Sequence, residues 1–441
     1  MMDVLLQGGT LVTCDEQGRV VRGDVLLREG KIAALGRAAS RVAGDARVLD
    51  VTDCLVLPGL IFTHVHLCQA LMRGLADDMP LLDWLRRCIW PLEAAHDEKS
   101  LRASAELGLA EMLLSGVTTI LDLGTVHNHD VVFDACVRAG IRVYGGKTLM
   151  DRGDGVPKRL CESTRRGLSD AERLEHDWSS HPSGRVHYVW IPRFILSCSE
   201  GLVRQAAERA EASGALMHTH AAEHPGERQA VRAALGADDV DLLRKWGFWG
   251  SRASIAHGVQ LTRAQMRQLA KSGTGVVHCP SANLKLGSGV AKVSQLMELG
   301  VTLGLGADGA PCNNNLDAFV ELRHAALLAA GTSGPGRVPA FRALELLTRG
   351  GAQLLGAVEL GSIEKGKAAD VVVVRTDGVH VAPAADPVST LVYASQSRDV
   401  QHVFVAGQHV VADFELQTLD ARRVSRTART EARRLLRRAG L

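Results

Sequence analysis

The chain has 441 residues, 46% hydrophobic and 23% charged, enough for a large buried core with a second module beside it, so a disordered chain and a small disulfide-stapled one are excluded. Fifty-one Lys and Arg against 49 Asp and Glu leave a formal net charge of +2, too small to mark nucleic acid as the main partner. Nine scattered Cys never form C-x-x-C, which argues against a disulfide framework or a cysteine zinc knuckle. The opening residues lack the basic and apolar regions of a secretory signal, and no apolar run approaches a membrane span. A soluble, cytoplasmic protein with a small-molecule substrate, no nucleic acid and no membrane contact is expected.

In chain order, the first sixty residues alternate apolar and polar in short runs (Val4 to Leu6, Thr10 to Val12, Asp24 to Leu27, Lys31 to Leu35) broken by Gly-rich turns. These predict short strands. The far end repeats the pattern in GSIEKGKAADVVVV and VQHVFVAGQHVVADFEL. Neither piece can build a core alone, so one β-sandwich made from both chain ends is expected, residues 1–57 with 361–441, around an inserted domain of residues 58–360.

Within the insert, Val/Ile/Leu-rich runs alternate with helix-length amphipathic stretches. The strand candidates are Gly59 to His66, Thr118 to Leu123, Arg142 to Lys147, Val186 to Phe194, Ala215 to Ala221, Ala253 to His257, Gly275 to Cys279 and Thr302 to Asp308. Eight such strands predict a closed (β/α)₈ TIM barrel, with an open α/β sheet as the alternative. No G-x-G-x-x-G opens a helix after the first strand and there is no Walker motif, so a dinucleotide or nucleoside triphosphate site is unsupported. The final stretch, ARRVSRTARTEARRLLRRAGL, holds eight Arg and reads as a helix with a solvated basic face.

His64 and His66 end the first barrel strand. Two residues apart on a strand, they point to the same side, into the barrel mouth where such folds place their sites. A lone H-x-H is weak; His127 with His129, and His218 with His220, repeat it. The weight comes from the other strand ends. The fifth offers His220 with Glu223 one short turn later, the sixth His257, the eighth Asp308. Each alone could be a polar residue closing a strand; together they face one rim. Three neutral imidazoles and one carboxylate suit a single zinc or iron ion, zinc being the expected one, with a position left for water.

Such an ion lowers the pKa of bound water toward neutrality. Asp308 can bind it through one oxygen and take the water proton with the other, while Glu223 can protonate the nitrogen beside the attacked carbon. His257 is better placed to partner the attacking oxygen than to be a fourth imidazole ligand. No nucleophile-elbow Ser is present, and the H-x-E with P-C-x-x-C of the other zinc deaminase scaffold is absent.

The segments PGLIFTHVH, HTHAAE, AHGV, HCPSANLKLGSG and LGADGAPCNNNLD together resemble the amidohydrolase superfamily in its mononuclear-metal deaminase branch, and the resemblance spans nearly the whole chain. It implies His64, His66, His220 and Asp308 as metal ligands and Glu223, His257 and Asp308 as catalytic groups. No Lys ends the fourth strand, where binuclear relatives carry a bridging modified lysine, so one metal is implied. Within the branch the sequence is similar to deaminases of 5'-deoxyadenosine, 5'-methylthioadenosine and S-adenosylhomocysteine, and to the N-ethylammeline chlorohydrolase group. That similarity implies Trp84 and Glu93 as holders of the nucleoside sugar. It also implies Arg159, with Lys147 in place of a second Arg, as the contact for a homocysteine carboxylate, a weaker clamp. Arg193, in IPRFILSCSE, stands where relatives carry a pocket His and resembles guanine deaminases, while Lys285 in SANLKLGSG matches the adenosine-type group. The family's habits imply a homo-oligomer. The expected activity is hydrolytic deamination of an adenosine-type nucleoside. A guanine or aminotriazine aminohydrolase or chlorohydrolase is the alternative, and a catalytically silent binding module is the alternative from another class.

Overall fold

A computed structural model of the chain describes residues 2–441. Eight parallel strands close a barrel: Leu60–Val65, Val117–Leu123, Arg142–Gly146, Val186–Pro192, Leu216–Ala221, Ala253–His257, Gly275–His278 and Leu303–Leu305. Closure runs through the pairing of Val189 with Leu216 between the fourth and fifth strands, and of Leu305 with Phe62 between the eighth and first. The open-sheet alternative is thereby removed. Most barrel strands are buried along their whole length, which is why they read as continuous Val/Ile/Leu runs rather than as alternation.

The eighth strand is shorter than Thr302 to Asp308, and Asp308 lies beyond its end, tied to the first strand by an isolated bridge to Val65. Gly306 makes this approach sterically open: a Cβ there would lie 2.7 Å from the His64 carbonyl oxygen and 2.8 Å from its Cβ. After the first strand the chain forms a short helix, Leu81–Trp84, that runs through a π-helical turn at Leu85–Ile89 into Trp90–Ala94. Such turns concentrate at functional sites.

Both chain ends build one nine-stranded mixed sheet. Its joint is Cys54–Pro58, which pairs in parallel with Val4–Val12 on one side and antiparallel with Val371–Arg375 on the other. The sheet curls until Lys31 bridges Ala368, and Leu6, Val25, Ile32, Val56, Val373 and Phe404 fill the enclosed core. The terminal helix Ala421–Ala439 buries Val424, Ala428 and Leu435 and leaves its arginines exposed. Near its end, Arg438 caps the Ala95 carbonyl at 2.9 Å and meets Asp97 at 3.0 Å. All nine cysteines are free. Among the described residues, no helix is long and apolar enough to cross a membrane.

The sheet is fastened to the barrel by a buried ion pair. Arg142, on the third barrel strand, reaches Asp370 at 3.2 Å, and the same carboxylate accepts from the Ala406 N–H at 2.7 Å. Removing one member leaves the other charge buried and unpaired, which costs about 3–5 kcal/mol. Asp370→Ala is therefore expected to lower the unfolding free energy from denaturant titration by an amount of that order, with a lower midpoint at unchanged slope, and the double change Arg142→Met with Asp370→Leu to recover much of it. A wild-type midpoint for Asp370→Ala would show that the pair is no anchor.

Candidate metal centre and active site

The barrel's alternation puts His64 and His66 on the same side of the first strand, and His218 and His220 on the same side of the fifth. His66 Nδ1 donates to the Leu123 carbonyl at 2.8 Å, and His220 Nδ1 to the Arg193 carbonyl at 2.8 Å. Carbonyls only accept, so both Nδ1 atoms carry the proton and both Nε2 atoms are bare lone pairs. Those two lone pairs face each other at 3.2 Å. His64 Nε2 is buried with no hydrogen-bond partner. It lies 3.3 Å from Asp308 Oδ1, which is also 3.3 Å from His66 Nε2.

Imidazole lone pairs and a carboxylate oxygen aimed at one point repel each other unless a cation lies between them. The donor set fits a divalent metal ion. One donor atom each from His64, His220, His257 and Asp308 lies within 4.8 Å of the others, and His66 joins through its contacts with His220 and Asp308. His257 stands to the side. Its Nδ1 is 2.8 Å from Asn283 Oδ1, and its Nε2 is 3.5 Å from Glu223 Oε2 and 4.0 Å from Asp308 Oδ2.

Electrostatics separate the two carboxyl groups. Burial raises the Asp308 carboxyl, but the contacts with His64 and His66 outweigh it and hold the group well below the usual range. Burial, then the negative charge of Asp308, pushes Glu223 well above it. The two carboxyl groups are pushed in opposite directions, the arrangement that divides base from acid. Burial also drives His64 down to about 4 and His220 well below its ordinary value, keeping both neutral as ligands must be. The turns carrying these groups are strained: Ala222, His257 and Asp308 adopt φ of +52°, +75° and +60°. Each non-glycine residue in that region costs on the order of 1–3 kcal/mol and tends to mark functional positions.

A narrow cleft opens over the centre. Leu81, Trp84, Leu85, Phe194 and Leu286 form its apolar wall; Gln69 and Arg193 add polar groups beside His66, His220, Glu223, His257 and Asp308. Trp84 Nε1 and Gln69 Oε1 are buried without partners, a donor and an acceptor free for a ligand.

The other residues singled out from the sequence lie elsewhere. Glu93 sits behind the wall, its carboxylate held by Gln69 Nε2 at 2.8 Å and by both terminal nitrogens of Arg193. Arg159 is exposed, donates to the His96 carbonyl at 3.0 Å, and does not line the cleft. Lys147 is buried in ion pairs with Glu162 at 2.7 Å and Asp170 at 2.9 Å, so it is no free cation for a carboxylate. The sequence reading missed Gln69, three residues after His66, and Asn283, which lies inside the HCPSANLKLGSG segment and orients His257. It noted His218 without a role.

The family model for "Amidohydrolase family" matches residues 55–410. A protein of Natronomonas pharaonis named 5-methylthioadenosine/S-adenosylhomocysteine deaminase is 37% identical, over 100% of this chain and 99% of its own length. The crystal structure of an adenosine deaminase from Xanthomonas campestris with bound zinc superposes with a TM-score of 0.91 at 30% identity, covering 98% of each chain. Atrazine chlorohydrolase from Arthrobacter aurescens TC1, complexed with zinc, gives a TM-score of 0.90 at 26% identity, covering 97% of this chain and all of that one. The family match, the full-length likeness and the rim of His and Asp side chains agree: this chain belongs to the amidohydrolase family.

Proposed function

We propose that this protein is a metal-dependent hydrolytic deaminase that converts an adenosine-type nucleoside to its inosine analogue and ammonia. The observation that carries the reading is the convergence of Glu223 and Asp308 on His257 Nε2, at 3.5 and 4.0 Å, beside the His64, His66 and His220 cluster on the floor of one cleft. The deaminase of Natronomonas pharaonis supports the substrate class, and the zinc in the Xanthomonas adenosine deaminase supports zinc over iron.

His64, His66, His220 and Asp308 would hold the ion. When bound, it acidifies water so that hydroxide is accessible near neutral pH. Asp308, through the oxygen facing His257, accepts the proton of the attacking water. His257, oriented by Asn283, holds the attacking oxygen against purine C6. Glu223 protonates the adjacent ring nitrogen as the carbon becomes tetrahedral; the proton that Asp308 accepted passes to the amino group, which leaves as ammonia, and the proton of the new hydroxyl returns to Glu223 as the carbonyl forms. Trp84 offers its indole N–H to the substrate across the apolar wall.

With Lys147 held by Glu162 and Asp170 and Arg159 away from the cleft, neither residue implied for a homocysteine carboxylate is free at the site. That favours 5'-deoxyadenosine or 5'-methylthioadenosine over S-adenosylhomocysteine. A second reading, guanine or an aminotriazine, is favoured by one feature: Gln69 and Arg193 reach the cleft while Glu93, the expected sugar contact, lies behind them.

Ammonia release across a panel tests the substrate. The 5'-deoxy and 5'-methylthio nucleosides are expected to exceed S-adenosylhomocysteine by about 10-fold or more in kcat/KM, the scale of one absent charge-assisted contact. Preference for guanine or an aminotriazine over every nucleoside would overturn the nucleoside reading in favour of the second.

The catalytic assignments predict about one metal per chain by elemental analysis. Glu223→Gln should keep that metal and lower kcat by at least about 10²-fold. Asp308→Asn should lose turnover more completely than it loses metal, because an amide oxygen can still approach the ion but cannot take a proton. Near-normal turnover in the Gln variant would remove Glu223 as the acid.

A further inference from the structure

We infer that His218 is a positioning residue that presents His64 to the metal, through an imidazole relay anchored on Ser254. The inference rests on the reading of His64 as a ligand. His66 and His220 are each oriented by a backbone carbonyl, but His64 is not: its Nδ1 lies 2.8 Å from His218 Nε2, and His218 Nδ1 lies 2.8 Å from Ser254 Oγ. His64 and His218 are fully buried and Ser254 is 4% exposed. His218 and Ser254 are register partners on the fifth and sixth strands, so the relay spans the barrel to the first.

Two proton placements satisfy both hydrogen bonds with neutral rings. In one, His64 Nδ1–H donates to His218 Nε2 and His218 Nδ1–H donates to Ser254 Oγ; His64 Nε2 is then a bare lone pair. In the other, Ser254 O–H donates to His218 Nδ1 and His218 Nε2–H donates to His64 Nδ1, which leaves the His64 proton on Nε2 where the ion would sit. Each placement holds one proton per imidazole and one on the hydroxyl, so changing between them neither takes up nor releases a proton. Only the first can bind a metal. His64 Nε2 makes no hydrogen bond and lies 3.3 Å from Asp308 Oδ1; with the ion between them, the first placement alone leaves that nitrogen free to bind it. Partners that hold the distal nitrogen of a ligating His are worth about 10- to 100-fold in metal affinity.

The test is the rate at which loaded protein gives up its metal to an excess of chelator, alongside metal content and thermal midpoint. His64→Ala is expected to purify without metal. His218→Ala should purify with metal and release it about 10- to 100-fold faster than wild type. His218→Gln should restore slow release, since its amide oxygen can stand where Nε2 accepted, whereas His218→Asn is too short and should not. Ser254→Ala should fall between wild type and His218→Ala. With ¹⁵N-labelled histidine, the His64 Nδ1–H signature should be present in the loaded wild type and lost in His218→Asn. Wild-type release from His218→Asn and Ser254→Ala, or equal release from the Gln and Asn variants, overturns the relay while leaving the metal centre intact. Retention of metal by His64→Ala overturns the ligand reading itself. Should His218→Ala fail to fold, the Gln, Asn and Ser254 variants still decide the question.

Discussion

Three imidazole nitrogens and a carboxylate oxygen crowd together, His66 Nε2 3.2 Å from His220 Nε2 and Asp308 Oδ1 3.3 Å from the Nε2 atoms of His64 and His66, and the rest of the site is organised around that crowding and the repulsion it brings. Each ring is held against it from behind. The carbonyls of Leu123 and Arg193 hold two, and the third leans on His218. The backbone contributes as well: Gly306 lets the eighth strand approach the first closely enough for Asp308 to reach both His64 and His66, and Asp308 takes a left-handed conformation to do so. A cation at the centre converts the repulsion into the attraction that makes the arrangement stable.

The same burial that disfavours charge sorts the acids. Asp308, which faces the centre, is the carboxylate a cation there would hold ionised; burial and the nearby Asp308 push Glu223 the other way. Behind it, Glu227 accepts the Glu223 backbone N–H at 3.1 Å, and burial raises its carboxyl too. Two carboxyl groups pushed in opposite directions on one cleft floor suit hydrolysis at a ring carbon bearing an amino group.

Selectivity depends on the opposite side of the cleft. Arg193 serves twice: its carbonyl orients His220, and its guanidinium neutralises Glu93. A change there would disturb the metal centre and the substrate wall together. The ion pair leaves the wall with a free Gln69 oxygen and the Trp84 N–H rather than a net charge, a polar and neutral face.

Much of this was legible in the chain. Period-two alternation and the habit of barrels to place chemistry at the C-terminal ends of their strands were enough to select His64, His66, His220, Glu223, His257 and Asp308, because each lies at or just past a strand end and local spacing dictates which way it points. The βα rhythm likewise announced the eight strands, and the two alternating chain ends announced a shared sheet. What the sequence could not supply was pairing between distant positions. Glu93 meets Arg193 across 100 residues and His64 meets His218 across 154, and Lys147 finds its partners on a helix and loop that follow its own strand. Local pattern determines which way a side chain faces, but whether a charge remains free for a ligand depends on which other side chains the closed barrel brings within 3 Å of it, and only the tertiary structure decided that.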